Sequence, residues 1–198
     1  MSDNQSLTAA ETKSIIDTAN AMADAAREII LPRFRSNSLV AENKSLHSFD
    51  PVTEADKDAE KVMISELKKR RPNDGVFGEE FGELKGESLY RWVLDPIDGT
   101  RAFIAGAPTW GVLISLEKIG TGPIFGIIDQ PYIGERFFGG LGLAKYKKRD
   151  ESKKLKTSSV EEIEDAILLS TFPEIGTEKD GKAFERVSEN AKLTRYGL

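Results

Sequence analysis

The sequence predicts an α/β fold of the layered α+β sandwich type. Two N-terminal helices pack on a mostly antiparallel sheet, and the start of a second α/β layer follows. Three observations carry this reading. Two early stretches repeat apolar residues at helical spacing. A series of short apolar runs separated by turn signals comes next, with links too short for a crossover, which favours antiparallel pairing. Near the end, the apolar run Ala166 to Ser170 precedes another helical pattern, as in the first unit of an α/β layer. A boundary near residue 150 separates an N-terminal α+β domain, 1–150, from the beginning of an α/β domain, 151–198.

Thr8 and Glu11 have the spacing of a capping box, with Thr8 as N-cap. Ile15, Ile16, Ala19, Met22, Ala23, Ala26, Ile29 and Ile30 then give one apolar face, and Pro32 should end or kink the helix. Residues 36–51 are polar and loop-like. His47, without another histidine in the chain, and Lys44 read there as solvated side chains. The second helix begins around Thr53 to Asp56, presents Ala55, Ala59, Val62, Met63 and Leu67, and stops at Pro72-Asn73-Asp74-Gly75. Asp56, in its first turn, has an ordinary role available in satisfying N-terminal N–H groups.

Val76 to Glu80 reads as a short apolar strand ending in two acids, and Trp92-Val93-Leu94 as a buried strand ending in Asp95. Pro96 favours a type I turn over Asp95 to Asp98, which would bring both carboxylates to one side. Further strands are expected over 110–116, 124–129, 136–139 and 144–146. The charged stretch Lys147 to Lys154 reads as a solvated turn or linker. The run 166–170 suits a strand buried on both faces. A helix is expected from about Thr177 to Leu193, with another strand beginning at Tyr196-Gly197-Leu198.

Composition narrows the chemistry. With 39% hydrophobic and 31% charged residues the chain is of globular type, and its net charge of -5 argues against a nucleic-acid polymer as partner. Cysteine is absent, which excludes thiol chemistry, and the one histidine argues against histidine-based metal sites and a Ser-His-Asp triad. Without an apolar run long enough to span a membrane, and with a polar start unlike a signal peptide, the reading is cytoplasmic. Oxygen ligands remain. Two neighbouring apolar strands that each end in carboxylates could gather several acids at one sheet edge. Such hard donors beside the flexible backbone of Gly99 suit a divalent cation holding a phosphate.

The motifs resemble a known family. Asp95-Pro96-Ile97-Asp98-Gly99-Thr100 is similar to the signature of the inositol monophosphatase superfamily, the magnesium-dependent, lithium-sensitive phosphatases. Val52-Thr53-Glu54-Ala55-Asp56 resembles its Val-Thr-x-x-Asp segment, Gly78-Glu79-Glu80 its Gly-Glu-Glu, and Gly126 to Pro131 with Glu135 its following hairpin. The resemblance implies two or three Mg2+ ions. Glu79, Asp95 and the Ile97 carbonyl would hold the first, and Asp95 and Asp98 a second. The amides of Gly99 and Thr100 would receive the phosphate, with Glu79, Ile97 and Asp98 also facing the substrate. Asp56 and Thr100 would orient and help deprotonate the attacking water. A homodimer is expected on the same ground.

The family carries a further metal-binding aspartate in a Trp-Asp motif. Here the tryptophans, Trp92 and Trp110, precede Val93 and Gly111, so the chain is expected to be truncated. The segment Arg101 to Gly111 is more similar to the histidinol-phosphatase branch, which makes histidinol phosphate the expected phosphate monoester. An inositol monophosphatase and a bisphosphate nucleotidase are the alternatives, and a catalytically silent metal-binding or interaction fragment is the rival of another class.

Overall fold

The computed structural model describes residues 7–36, 41–43, 51–172 and 176–197; His47 and Lys44 lie outside them. The elements run α1 (Ala9–Ile30), β1 (Ala41–Asn43), β2 (Pro51–Thr53), α2 (Glu54–Arg70), β3 (Gly75–Gly78), β4 (Gly82–Leu84), β5 (Tyr90–Asp98), α3 (Thr100–Ile104), β6 (Gly111–Lys118), β7 (Gly122–Gln130), β8 (Glu135–Gly140), β9 (Leu143–Lys148), β10 (Glu151–Lys154), β11 (Ile167–Ser170), α4 (Glu178–Ser188) and β12 (Leu193–Tyr196). They form two compact units, residues 1–155 and 156–198.

In the first unit, eight strands lie in the order β10-β9-β8-β7-β6-β5-β3-β4. Every pairing is antiparallel except that of β3 with β5. α1 starts at the expected capping box: the Thr8 hydroxyl accepts from the Glu11 N–H, and the Glu11 carboxylate accepts from the Thr8 N–H at 2.9 Å. Its apolar stripe packs with Ala59, Met63 and Leu67 of α2 onto one face of the sheet, where Trp92, Leu94, Ile114, Leu116 and Ile127 are buried. The opposite face alternates with it, as strand geometry requires. It carries Phe77 and Ile128, 47% and 51% exposed.

Buried acids tie the layers together. Asp129, fully buried on β7, accepts from Arg27 of α1 and Arg136 of β8, both at 2.8 Å. Asp74, before β3, accepts from the Trp92 indole at 2.9 Å and from Ser88 at 2.7 Å, and pairs with Arg71.

Several expectations need correction. Asp95 to Asp98 is not a tight reversal. β5 continues through it, with an irregularity against β6 between Asp95 and Asp98. β3 stops at Gly78, leaving Glu79 and Glu80 in the turn. The loop expected over 36–51 contains β1, paired with β2. The charged stretch 147–154 is the end of β9, a turn at Arg149 and Asp150, and the edge strand β10; every β10 residue is exposed. Lysines suit an edge strand because they discourage further pairing.

In the second unit, β11 and β12 pair in parallel with α4 between them, a βαβ arrangement. β11 is not buried on both faces: Ile167 and Leu169 are 63% and 54% exposed. α4 ends at Ser188 rather than near Leu193, which belongs to β12. Its start follows a capping box, Thr177 with Asp180, that the sequence reading passed over.

Asp129→Ala removes the shared acceptor of two guanidinium groups in a buried place. The expected loss is roughly 3–5 kcal/mol of stability, measured by urea unfolding; a loss near zero would mean that the pairs do not hold α1 to the sheet.

Candidate active site

Parallel pairing sets Gly78 of β3 beside Leu94 of β5. The following residues, Glu79 and Asp95, therefore lie next to each other at the carboxyl end of the strand pair. Further along β5, Asp95 pairs with Leu113 of β6 and Asp98 with Gly111. Between these pairs β5 has two residues, Pro96 and Ile97, and β6 has only Val112. That is a β-bulge. Residues three apart in a regular strand point to opposite faces; the extra residue brings Asp98 back to the face of Asp95. Pro96 has no N–H to leave unsatisfied where the ladder breaks.

Gly99 follows with φ 84° and ψ 37° and caps α3. A Cβ there would stand 2.9 Å from the Thr109 carbonyl oxygen, so glycine is required by both conformation and space. The Thr100 hydroxyl donates to the Ile97 carbonyl at 3.0 Å, so this carbonyl already has a partner within the chain. Phe103 on α3 is buried against Phe34 and Trp110, which anchors the segment after the bulge. Asp56 is 4% exposed in the first turn of α2.

Asp95 is the electrostatic centre. Its Oδ1 is buried and makes no hydrogen bond. Burial first, then the charges of Glu79 and Asp98, a hydrogen bond with Glu79 and the charge of Asp56 push its pKa up from 3.8 to about 8. Four of the sequence-predicted acids thus meet electrostatically at one strand end. The cluster is loose: among the described residues, no three such side chains stand close enough to hold a metal ion as they are. The donor set nevertheless fits one. An orphaned carboxylate oxygen amid like charges, with only oxygen ligands available, suits a hard divalent cation rather than a soft one.

One residue of this neighbourhood escaped the sequence reading. Glu60 on α2 is fully buried and accepts from the N–H groups of Glu80 at 2.8 Å and Phe81 at 3.1 Å. The signal was present: Glu60 stands on the stripe formed by Asp56, Met63 and Leu67, and a charge on a buried stripe needs a partner.

A profile of the inositol monophosphatase family matches residues 11–192. The chain belongs to that family. It is 39% identical over 180 residues to the chloroplastic bifunctional phosphatase IMPL2 of Arabidopsis thaliana, covering 90% of this chain and 50% of that one. Against the histidinol-phosphatase of Streptomyces coelicolor it is 37% identical, covering 75% and 56%. The structure of an inositol monophosphatase from Zymomonas mobilis superposes with a TM-score of 0.76 at 37% identity, covering 96% of this chain and 70% of that one. The chain spans about half the length of the curated relatives it matches.

A carboxyl whose folded pKa is raised keeps a proton that the unfolded chain gives up. Its contribution therefore falls as pH rises from 3.8 to about 8 and then levels off. In the presence of a chelator, the melting temperature should decline over this window, and Asp95→Asn should flatten the decline. Parallel wild-type and variant curves would show that Asp95 is not the group responsible.

Proposed function

We propose that the protein is a magnesium-dependent phosphomonoesterase acting on a small-molecule phosphate monoester. The observation that carries this reading is the buried, unbonded oxygen of Asp95 among Glu79, Asp98 and Asp56 at the end of β5. Glu79, Asp95, Asp98 and the Ile97 carbonyl, through its remaining lone pair, would hold two or three Mg2+ ions. Bound, these ions would polarise the phosphate and acidify the attacking water, which so slow a hydrolysis requires.

The chain's own residues supply orientation and proton handling. The backbone N–H groups of Gly99 and Thr100, where α3 opens without a side-chain cap, would receive phosphate oxygens. Glu79, Ile97 and Asp98 would also border the substrate. The Thr100 hydroxyl, which donates to the Ile97 carbonyl, can turn its O–H to the Asp56 carboxylate at the start of α2 and accept from a water with its oxygen. As the water gives its proton to Thr100, Asp56 would take the hydroxyl proton. Burial of both Asp56 and Ile97 keeps bulk water from this inner side.

Histidinol phosphate is the preferred substrate in this reading. The segment Arg101 to Gly111 supports it, as does the match to a histidinol-phosphatase. An inositol phosphate is the second reading, supported by the Zymomonas structure at 37% identity. Among the described residues no helix is long and apolar enough to cross a membrane. A cytoplasmic homodimer acting on a soluble substrate, without nucleic acid, completes the proposal.

Asp98→Asn should weaken magnesium binding at least about tenfold and regain part of its turnover at high magnesium, with little change in melting temperature. Asp56→Asn should lower turnover by about 10²–10⁴-fold at any magnesium concentration. Phosphate release from histidinol phosphate and from inositol 1-phosphate, titrated with magnesium, checks both. Full turnover by Asp98→Asn at moderate magnesium would contradict the metal assignment. A higher kcat/KM for inositol 1-phosphate would overturn the substrate choice.

A further inference from the structure

Glu60 is an unusual residue to find in the core. It is fully buried, and an ionised carboxylate taken out of water costs several kcal/mol unless it is well bonded. A leucine would fill this part of the α2 stripe without that cost. What a leucine could not do is accept hydrogen bonds. Glu60 Oε2 accepts the N–H of Glu80 at 2.8 Å, and Oε1 accepts that of Phe81 at 3.1 Å. These are the first two amides after Glu79.

The strand leading into the turn is fitted to the same carboxylate. A Cβ at Gly78 would stand 1.7 Å from Glu60 Oε1 and 2.3 Å from its carboxyl carbon. The carboxylate therefore occupies the space where a side chain at position 78 would be. Gly78 in turn pairs with Leu94, the residue before Asp95. Glu60 also lies four residues after Asp56, on the same face of α2. One helix thus carries Asp56 and grips the turn that bears Glu79.

We propose that Glu60 is a positioning residue that, through two backbone amides and the space left by Gly78, sets the Glu79 carboxylate beside Asp95 for metal binding. This rests on the metal-site reading above. Glu60 itself touches neither ion nor substrate. Its effect is on the direction in which Glu79 leaves β3, because the two bonds fix the backbone immediately after it.

Two variants test this on the 198-residue chain. Glu60→Gln keeps one acceptor oxygen and turns the other position into a donor facing an N–H. Gly78→Ala leaves every charge in place and pushes the Glu60 carboxylate away. Three measurements are made on each: hydrogen exchange at the Glu80 and Phe81 amides without metal, melting temperature without metal, and Mn2+ affinity by titration. Both variants should exchange faster at these two amides and bind Mn2+ about 10–100-fold more weakly than wild type, while melting within a few degrees of it.

If wild type binds Mn2+ and the variants bind equally well, the positioning role falls alone. It falls too if only Glu60→Gln is weakened, since the effect would then come from charge. Affinity lost only in step with a large drop in melting temperature would make Glu60 a structural residue and nothing more. Wild type that takes up no Mn2+ would overturn the metal-site reading and this assignment together.

Discussion

A carboxylate oxygen of Asp95 is buried without a hydrogen bond, and the charges of Glu79, Asp98 and Asp56 all act against its ionisation. The surrounding structure is arranged to hold that unfavourable state. Trp92 and Leu94 lock the strand into the core under α1 and α2, so Asp95 cannot swing away by moving the backbone. The parallel pairing with β3 delivers Glu79, the bulge delivers Asp98, and the start of α2 delivers Asp56. Without a cation, burial first and the repulsion second favour the protonated carboxyl, which is why the Asp95 pKa rises to about 8. In the proposed function a divalent cation takes the proton's place.

Asp129 shows how differently burial can be resolved in the same sheet. It too is fully buried and has an oxygen without a hydrogen bond. Its other oxygen, however, accepts from both Arg27 and Arg136. Two cations neutralise it from within the chain, leaving no need for a ligand. Asp74 is settled likewise by Trp92, Ser88 and Arg71. Burial alone thus does not mark a site; what distinguishes Asp95 is that its neighbours carry the same charge.

Much of this was legible in the sequence because it depends on local chemistry. The Thr8–Glu11 cap, the two apolar helical stripes and the turn-separated strands are written in short windows, and the acids at the ends of two apolar runs could be seen in advance. The bulge was not legible. Asp-Pro-Ile-Asp is good turn chemistry, and only the pairing of β5 with β6 reveals that the strand runs through it with one residue extra. Nor could residue types show that β3 and β5 are parallel neighbours, since long-range pairing is decided by the whole sheet. Glu60 was missed because a glutamate on a helix is ordinarily solvated. Its spacing from Asp56 and Met63 was the available clue. The exposed lysines of β10 suggested a linker, since charge says nothing of whether a backbone edge is paired.

The central claim, that the carboxyl ends of β3 and β5 with the bulge form a site for a divalent cation, can be tested most directly by adding Mn2+ to isotopically labelled protein and recording paramagnetic broadening of the backbone amide signals. The account predicts that Glu79, Asp95, Asp98 and Gly99 broaden first and together, at substoichiometric Mn2+, and that Mg2+ in excess restores them. Broadening that begins instead at exposed acids such as Asp17 or Glu151, or that leaves the β3–β5 end untouched, would contradict it.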